Sequence, residues 1–340
     1  AKLTDNFGII QFAKLTEPDI SSGYTLDDNA RALIVATLHY KKFRTPFSLK
    51  LASIYLNFLC RVTKPDGYFN NYVNPDRVVD EQRNIRENLE DASARALYSL
   101  TRVSTSKQIP KRLRKQAHSI FEQSFRKNVA FSSPRAIAFY IKALSCLLSK
   151  WKEPETLAVF RSCCEQLVTL YDKSHSPDWE WFEPYLTYSN AVLPEALLLG
   201  YKITGERKYL EVSEKAFNFL IKHTFPASPR GEKDNMYIPI GQSGWFPKRG
   251  KRQYFDQQPE DAAATVEALN AMFQVTKRKH DKELAYKAFN WFLGDNILGQ
   301  VVYDRTTGGC YDGIGEKSIN LNQGAESTIS YLSARFSFEG

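Results

Sequence analysis

The chain has 340 residues, 43% of them hydrophobic and 25% charged, with a formal net charge of +8. This is the make-up of a globular chain able to bury a sizeable core. The positive charge is scattered along helical stretches such as Lys111–Gln116 and Lys277–Lys282. No basic run is interleaved with stacking aromatics, which excludes a nucleic-acid groove, and no apolar run is long enough to span a membrane.

Taken in chain order, helical periodicity dominates and one pattern recurs: a loop ending in polar residues that runs into a helix rich in small residues. It begins at Tyr24–Leu33 (YTLDDNARAL), returns at Glu87–Leu97 (ENLEDASARAL), and is degenerate at Phe131–Leu144. It follows again at Tyr188–Gly200, Gln257–Leu269 and Asn322–Leu332. Amphipathic helices are expected between these, at Ser48–Val62, Pro110–Phe125, Pro154–Tyr171, Arg207–His223 and Asp281–Leu293. Small-residue helices pack closely on several sides, whereas amphipathic ones bury one face. An inner ring of six helices wrapped by an outer ring meets both demands, so a single-domain (α/α)6 toroid spanning residues 1–340 is expected. Only eleven helices are counted, because no amphipathic helix follows the sixth small-residue one.

In such a toroid the inner helices start at one end, and helix starts favour carboxylates. Thr25 with Asp28, and Asn88 with Asp91, have capping-box spacing. Several starts nevertheless carry more acids and amides than a cap needs: Asp27–Asp28–Asn29, Glu87–Asn88–Glu90–Asp91, Asn190 with Glu195, Glu260–Asp261, and Asn322–Gln323–Glu326. Crowded carboxyl groups drive their pKa values apart, and cleavage of a glycosidic bond needs one protonated and one ionised carboxyl. Arg31 and Arg95 are placed to orient carboxylates or bind hydroxyls.

The connecting loops add aromatics. Asp178–Asn190 holds Trp181, Tyr188 and Glu183, whose aromatic surroundings make it the expected general acid. Ile238–Asp261 supplies Trp245, and Gly308–Ser327 supplies Tyr311 and Asp312. The five histidines are dispersed, with no His/Cys/Asp cluster at metal-ligand spacing, and no phosphate-binding glycine motif or G-x-S-x-G elbow occurs. The five cysteines sit mostly in apolar helical settings, as in a reducing compartment such as the cytoplasm.

The segments GYTLDDNARAL, WFEPYLTYSNAVLPEAL, FDQQPEDAAATVEA and GGCYDGI…NQGAESTISYL resemble a bacterial domain of the six-hairpin glycosidase type, often fused behind group 1 glycosyltransferases. The resemblance runs from about residue 3 to residue 334. It implies an (α/α)6 fold and a carbohydrate context, and it marks Asp261 as the matching acid in the fifth repeat.

The sequence thus leads to a metal-independent glycoside hydrolase without a cofactor, acting on an oligosaccharide or glycan. The catalytic candidates are Asp28, Asp91, Glu183, Asp312 and Glu326. The substrate-binding candidates are Tyr24, Asp27, Asn29, Arg31, Arg95, Trp181, Tyr188, Asn190, Trp245, Gln257, Gln258, Asp261, Tyr311, Asn322 and Gln323. The alternatives are a non-catalytic glycan-binding module, a sugar epimerase of similar build, for which a histidine pair is expected, and a helical scaffold.

Overall fold

A computed structural model describes residues 2–125, 130–226 and 236–339. The chain divides into two compact units, Ala1–Cys163 and Cys164–Gly340, with the boundary inside one helix.

The first unit carries α1 (Leu26–Phe43), α2 (Pro46–Val62), α3 (Glu81–Arg86), α4 (Glu90–Thr105), α5 (Lys111–Phe125) and α6 (Pro134–Leu148); α7 (Pro154–Ser174) crosses the boundary. Thr25, Thr45 and Ser133 each cap the helix that follows them, and Pro46 and Pro134 start theirs where a missing N–H costs nothing. α4 lies between α1 and α6, while α2 packs on α1 and α5 on α4. Their burial follows the expected alternation. α6 buries side chains around nearly its whole circumference, whereas α5 buries a stripe of Leu113, Ala117, Ile120, Phe121 and Phe125. Each fully buried leucine, such as Leu33 or Leu144, contributes about 2 kcal/mol of apolar transfer.

The short α3 was not expected from the sequence; Asp80 caps it by accepting from the Arg83 N–H. Its Asn84 accepts from the N–H groups of Asn71 and Tyr72, fixing a loop that pairs back onto the start of α1. There Tyr24–Thr25 pairs antiparallel with Tyr72–Val73. Gly23, one residue earlier, has φ +68° and ψ −149°, a conformation open only to glycine, and a Cβ there would stand 2.3 Å from the Val73 carbonyl oxygen. The N-terminal segment folds over the same region: Phe7 stands edge-on to Tyr24 and Phe58, and Ile9 donates its N–H to Asn29.

The second unit carries α8 (Val192–Thr204), α9 (Arg207–Thr224), α10 (Pro259–Thr276), α11 (Lys279–Asn290) and α12 (Ala325–Ser337). Here α10 lies between α8 and α12, with α9 packed on α8 and α11 on α10. Two antiparallel pairs, Tyr185–Leu186 with Phe246–Pro247 and Gly313–Ile314 with Ile319–Asn320, brace the loops before α8 and α12. All six small-residue helices and all five amphipathic helices are therefore present at their expected places, and no further helix follows α12 among the described residues. No disulfide links the cysteines of the described residues, and no helix among these residues is long and apolar enough to cross a membrane.

Candidate active site

The start of α1 separates its two aspartates. Asp27 is held between two guanidinium groups: Arg31 donates through Nε at 2.9 Å to Oδ2, and Arg95 Nε stands 3.0 Å from Oδ1. Arg95 is itself buried, with its guanidinium 4.1 Å from the centre of the Phe139 ring. Asn71 adds a hydrogen bond from the Asp27 N–H to its own side-chain oxygen. The arginines thus orient and neutralise Asp27.

Asp28 has a different environment. It is only 4% exposed, and Thr25 Oγ1 donates to its Oδ2 at 2.6 Å while accepting from its N–H. Thr25 therefore caps the helix as the sequence predicts, but Asp28 bonds to the Thr25 hydroxyl where a capping box would have it accept from the Thr25 N–H. Burial, reinforced by the neighbouring Asp27 charge, raises the Asp28 pKa to about 7, against the opposing pull of Thr25, Arg31 and Arg95. A carboxyl group that is partly protonated at neutral pH is suited to deliver a proton.

The acids at the start of α4 reach the start of α6. Glu90 accepts from the N–H groups of Ser132 and Ser133, and Asp91 accepts from the Ser133 hydroxyl, so together they tie the start of α4 to that of α6. The expected Asn88–Asp91 capping box does not form: Leu89 is the cap residue, and Asn88 accepts instead from the Glu90 N–H. Tyr24 and Asn29, expected to meet substrate, are buried in packing. Tyr24 donates to Asp5, and Asn29 bridges Ile9 and the Thr25 carbonyl.

In the second unit the corresponding feature is Asp312, which precedes α12 without belonging to it. Its Oδ1 accepts from the Gly324 N–H at 2.8 Å and the Ser327 hydroxyl at 2.7 Å, so it caps α12 from outside; Oδ2 takes no hydrogen bond among the described residues. Burial raises its pKa, with Ser327 and Gly324 opposing. The Gly313–Asn320 hairpin fixes this position, because Gln257 and Ile314 exchange backbone hydrogen bonds of 2.9 and 3.0 Å. Beside Asp312, Tyr311 lines a cavity of about 420 Å³ together with Tyr303, Asp304 and Arg305. Gln323 lies buried beneath it, donating to Asp304 and accepting from Thr307. The sequence did not single out Tyr303–Arg305, because a Tyr-Asp-Arg run in a turn has no distinguishing spacing.

The remaining candidates divide between packing and surface. Trp181 is fully buried against Phe182 and Phe219, leaving no ring face for a sugar. Gln257 is equally buried, accepting from the Trp291 indole, and Asn190 is folded onto the Thr187 backbone. Asp261 is buried in the first turn of α10, where its carbonyl accepts from Tyr237. Glu183 is buried, and its backbone carbonyl takes the Trp179 indole N–H. Tyr188 and Trp245 form a half-exposed ring pair with centroids 6.2 Å apart. Gln258 at the α10 start, Asn322 and Glu326 are part-exposed. Among the described residues no group of three or more His, Cys, Asp or Glu converges as metal ligands would. The histidines lie apart, His39 on Phe43, His118 on Trp151, His175 on Tyr171 and His223 between Phe219 and Phe246. His280 is exposed beside Glu283.

No protein-family model and no curated protein matches the chain. Solved structures do. The chain aligns with cellobiose 2-epimerase from Bacillus thermoamylovorans B4167 over 99% of its own length and 93% of that chain, with TM-score 0.73 and 15% identity. It aligns with a family 76 glycoside hydrolase from a bovine Bacteroides thetaiotaomicron strain over 99% and 73%, with TM-score 0.68 and 11% identity. The cellulase Cel9M of C. cellulolyticum aligns over 98% and 88%, with TM-score 0.60 and 11% identity. The fold is the (α/α)6 toroid. The sequence pattern had led to the same architecture.

Proposed function

We propose that the protein is a carbohydrate-active enzyme, a glycoside hydrolase in which Asp28 is the proton donor. The observation that carries this reading is the environment of Asp28: a buried carboxyl with one oxygen held by Thr25 and a pKa raised to about 7. Its proton passes to the glycosidic oxygen as the bond to the anomeric carbon breaks and the bonding pair leaves on that oxygen. Water adds to the anomeric carbon and gives its proton to a second carboxylate, so the sum is addition of one water, chemistry that carboxyl pairs perform without a metal. Asp91, the other catalytic candidate of the same unit, is the first residue to mutate in search of that second group. Tyr188 with Trp245, and Tyr303 with Tyr311, offer partly exposed rings on which sugars stack. The similarity to a cellulase, a glycoside hydrolase and a sugar epimerase supports the substrate class. A cytoplasmic setting and pairing with a group 1 glycosyltransferase, both drawn from the sequence, belong to the same proposal.

A second reading, sugar epimerisation, is favoured by the TM-score with cellobiose 2-epimerase, which exceeds those with the two hydrolases. Epimerisation moves a proton at the carbon next to a carbonyl and leaves glycosidic bonds intact. Proton NMR of an oligosaccharide panel incubated with the protein in D2O separates the two. New reducing ends without deuterium on carbon support hydrolysis. Deuterium at C2 with an intact linkage overturns it in favour of epimerisation.

A further inference from the structure

The ends of α1, α4 and α6 enclose a cavity of about 340 Å³ in the first unit. Lys41 of α1, Arg102 of α4, Lys107 of the following turn and Lys150 after α6 line it, with Gln108, and no Asp or Glu is among the lining residues. Lys41 lies thirteen residues beyond Asp28 on α1, about 20 Å at the rise of a helix, so this is a separate place from the carboxyl site.

Basic residues in the last turn of a helix ordinarily answer its exposed carbonyl groups. That explains Lys41 and Arg102, and Lys150 Nζ reaches the Ser104 carbonyl in the last turn of α4 at 3.4 Å, but Lys107 stands outside the helices and lines the same space. The cations disfavour one another: burial and then the Arg102 charge hold Lys41 below its usual range, and burial followed by Arg114 and Lys107 does the same to Lys150. Thr37 provides an independent sign. It lines the cavity, is 1% exposed, and its hydroxyl has no hydrogen-bond partner among the described residues. A helical threonine normally returns that bond to a carbonyl one turn earlier, and a buried donor left unmade is costly. Converging cations together with a waiting hydroxyl suit a compact anion with several acceptor oxygens.

We propose that this cavity binds a phosphate group, either free or carried by a small phosphorylated sugar. The volume exceeds that of one phosphate and leaves room for a ring attached to it. The site stands independently of the hydrolase reading, since none of its residues belongs to the carboxyl clusters.

Calorimetric titration at low ionic strength, with inorganic phosphate and glucose 6-phosphate as probes, tests it. Wild type is expected to bind at least one probe saturably, and tighter binding of the sugar phosphate identifies the phosphosugar as the ligand. Lys41→Gln combined with Lys107→Gln changes exposed side chains; binding falls at least tenfold while the circular dichroism spectrum and Tm stay unchanged. Thr37→Val, which keeps the shape and removes the hydroxyl, weakens binding severalfold. Failure of wild type to bind either probe, or equal binding by wild type and the double variant, overturns the proposal.

Discussion

Thr25 Oγ1 donates to Asp28 Oδ2 at 2.6 Å and accepts from the Asp28 N–H at 3.1 Å, so one hydroxyl both starts α1 and holds its buried carboxyl. The two roles make separate marks. Thr25→Val is expected to lose about 1 kcal/mol of stability through the missing cap, measured by urea unfolding. It also removes a bond that favours the ionised form of Asp28, so the pKa of Asp28 rises and the alkaline limb of any activity profile moves to higher pH. Thr25→Ser keeps the hydroxyl and shows neither change.

The raised pKa of Asp28 also fixes a sign for stability. The native state keeps this proton up to about pH 7, whereas the unfolded chain gives it up near the ordinary value of 3.8. Between those values the native state binds more protons, so the Asp28 contribution to stability is whole below pH 4 and is lost as pH rises to 7. The loss is on the order of 4 kcal/mol. Asp28→Asn has no such titration. Its stability relative to wild type is expected to improve steadily from pH 4 to pH 7, as read from unfolding curves at each pH.

Arg95 pairs with Asp27 and stacks on Phe139 while nearly buried. Arg95→Ala leaves Asp27 with Arg31 alone and is expected to cost roughly 3 kcal/mol, the lower end for breaking a buried ion pair. Arg95→Lys recovers little of this, because an ammonium lacks the planar surface that covers the ring. Chemical denaturation of the three proteins checks both statements.

Much of this architecture can be read from the chain because small-residue helices and amphipathic helices bury different fractions of their surfaces, and composition records that difference. What distinguishes Asp27 from Asp28 was hidden in the sequence, because it rests on Arg95, Arg31 and Asn71, which come together only on folding. Trp181 shows where sequence reading fails. A tryptophan beside a glutamate looks the same whether its ring faces solvent or, as here, the core. Asn29 and Gln257 fail for a related reason, since an amide that ties down backbone is indistinguishable in sequence from one that grips a hydroxyl. The basic cavity was invisible because its lysines come from three distant segments, each of which reads alone as a solvated face.

At α12 the acid and its partner can be separated. Asp312→Asn keeps an Oδ1 acceptor for Gly324 and Ser327, so Tm is expected to stay within about 2–3 °C of wild type, a shift of under 1 kcal/mol. Asp312→Ala removes the external cap and is expected to cost about 1 kcal/mol. If Asp312 takes part in turnover, both variants lose activity together although only one loses stability. Thermal denaturation alongside turnover of the same samples makes the comparison.

The central claim is that Asp28 delivers the proton in glycosidic bond cleavage. The most direct measurement is release of new reducing ends from an oligosaccharide panel by wild type and by Asp28→Asn at matched pH and confirmed fold. Cleavage by wild type with a loss of at least about 100-fold in the variant is the expected result, as for removal of a general acid. Undiminished cleavage by Asp28→Asn would contradict the account.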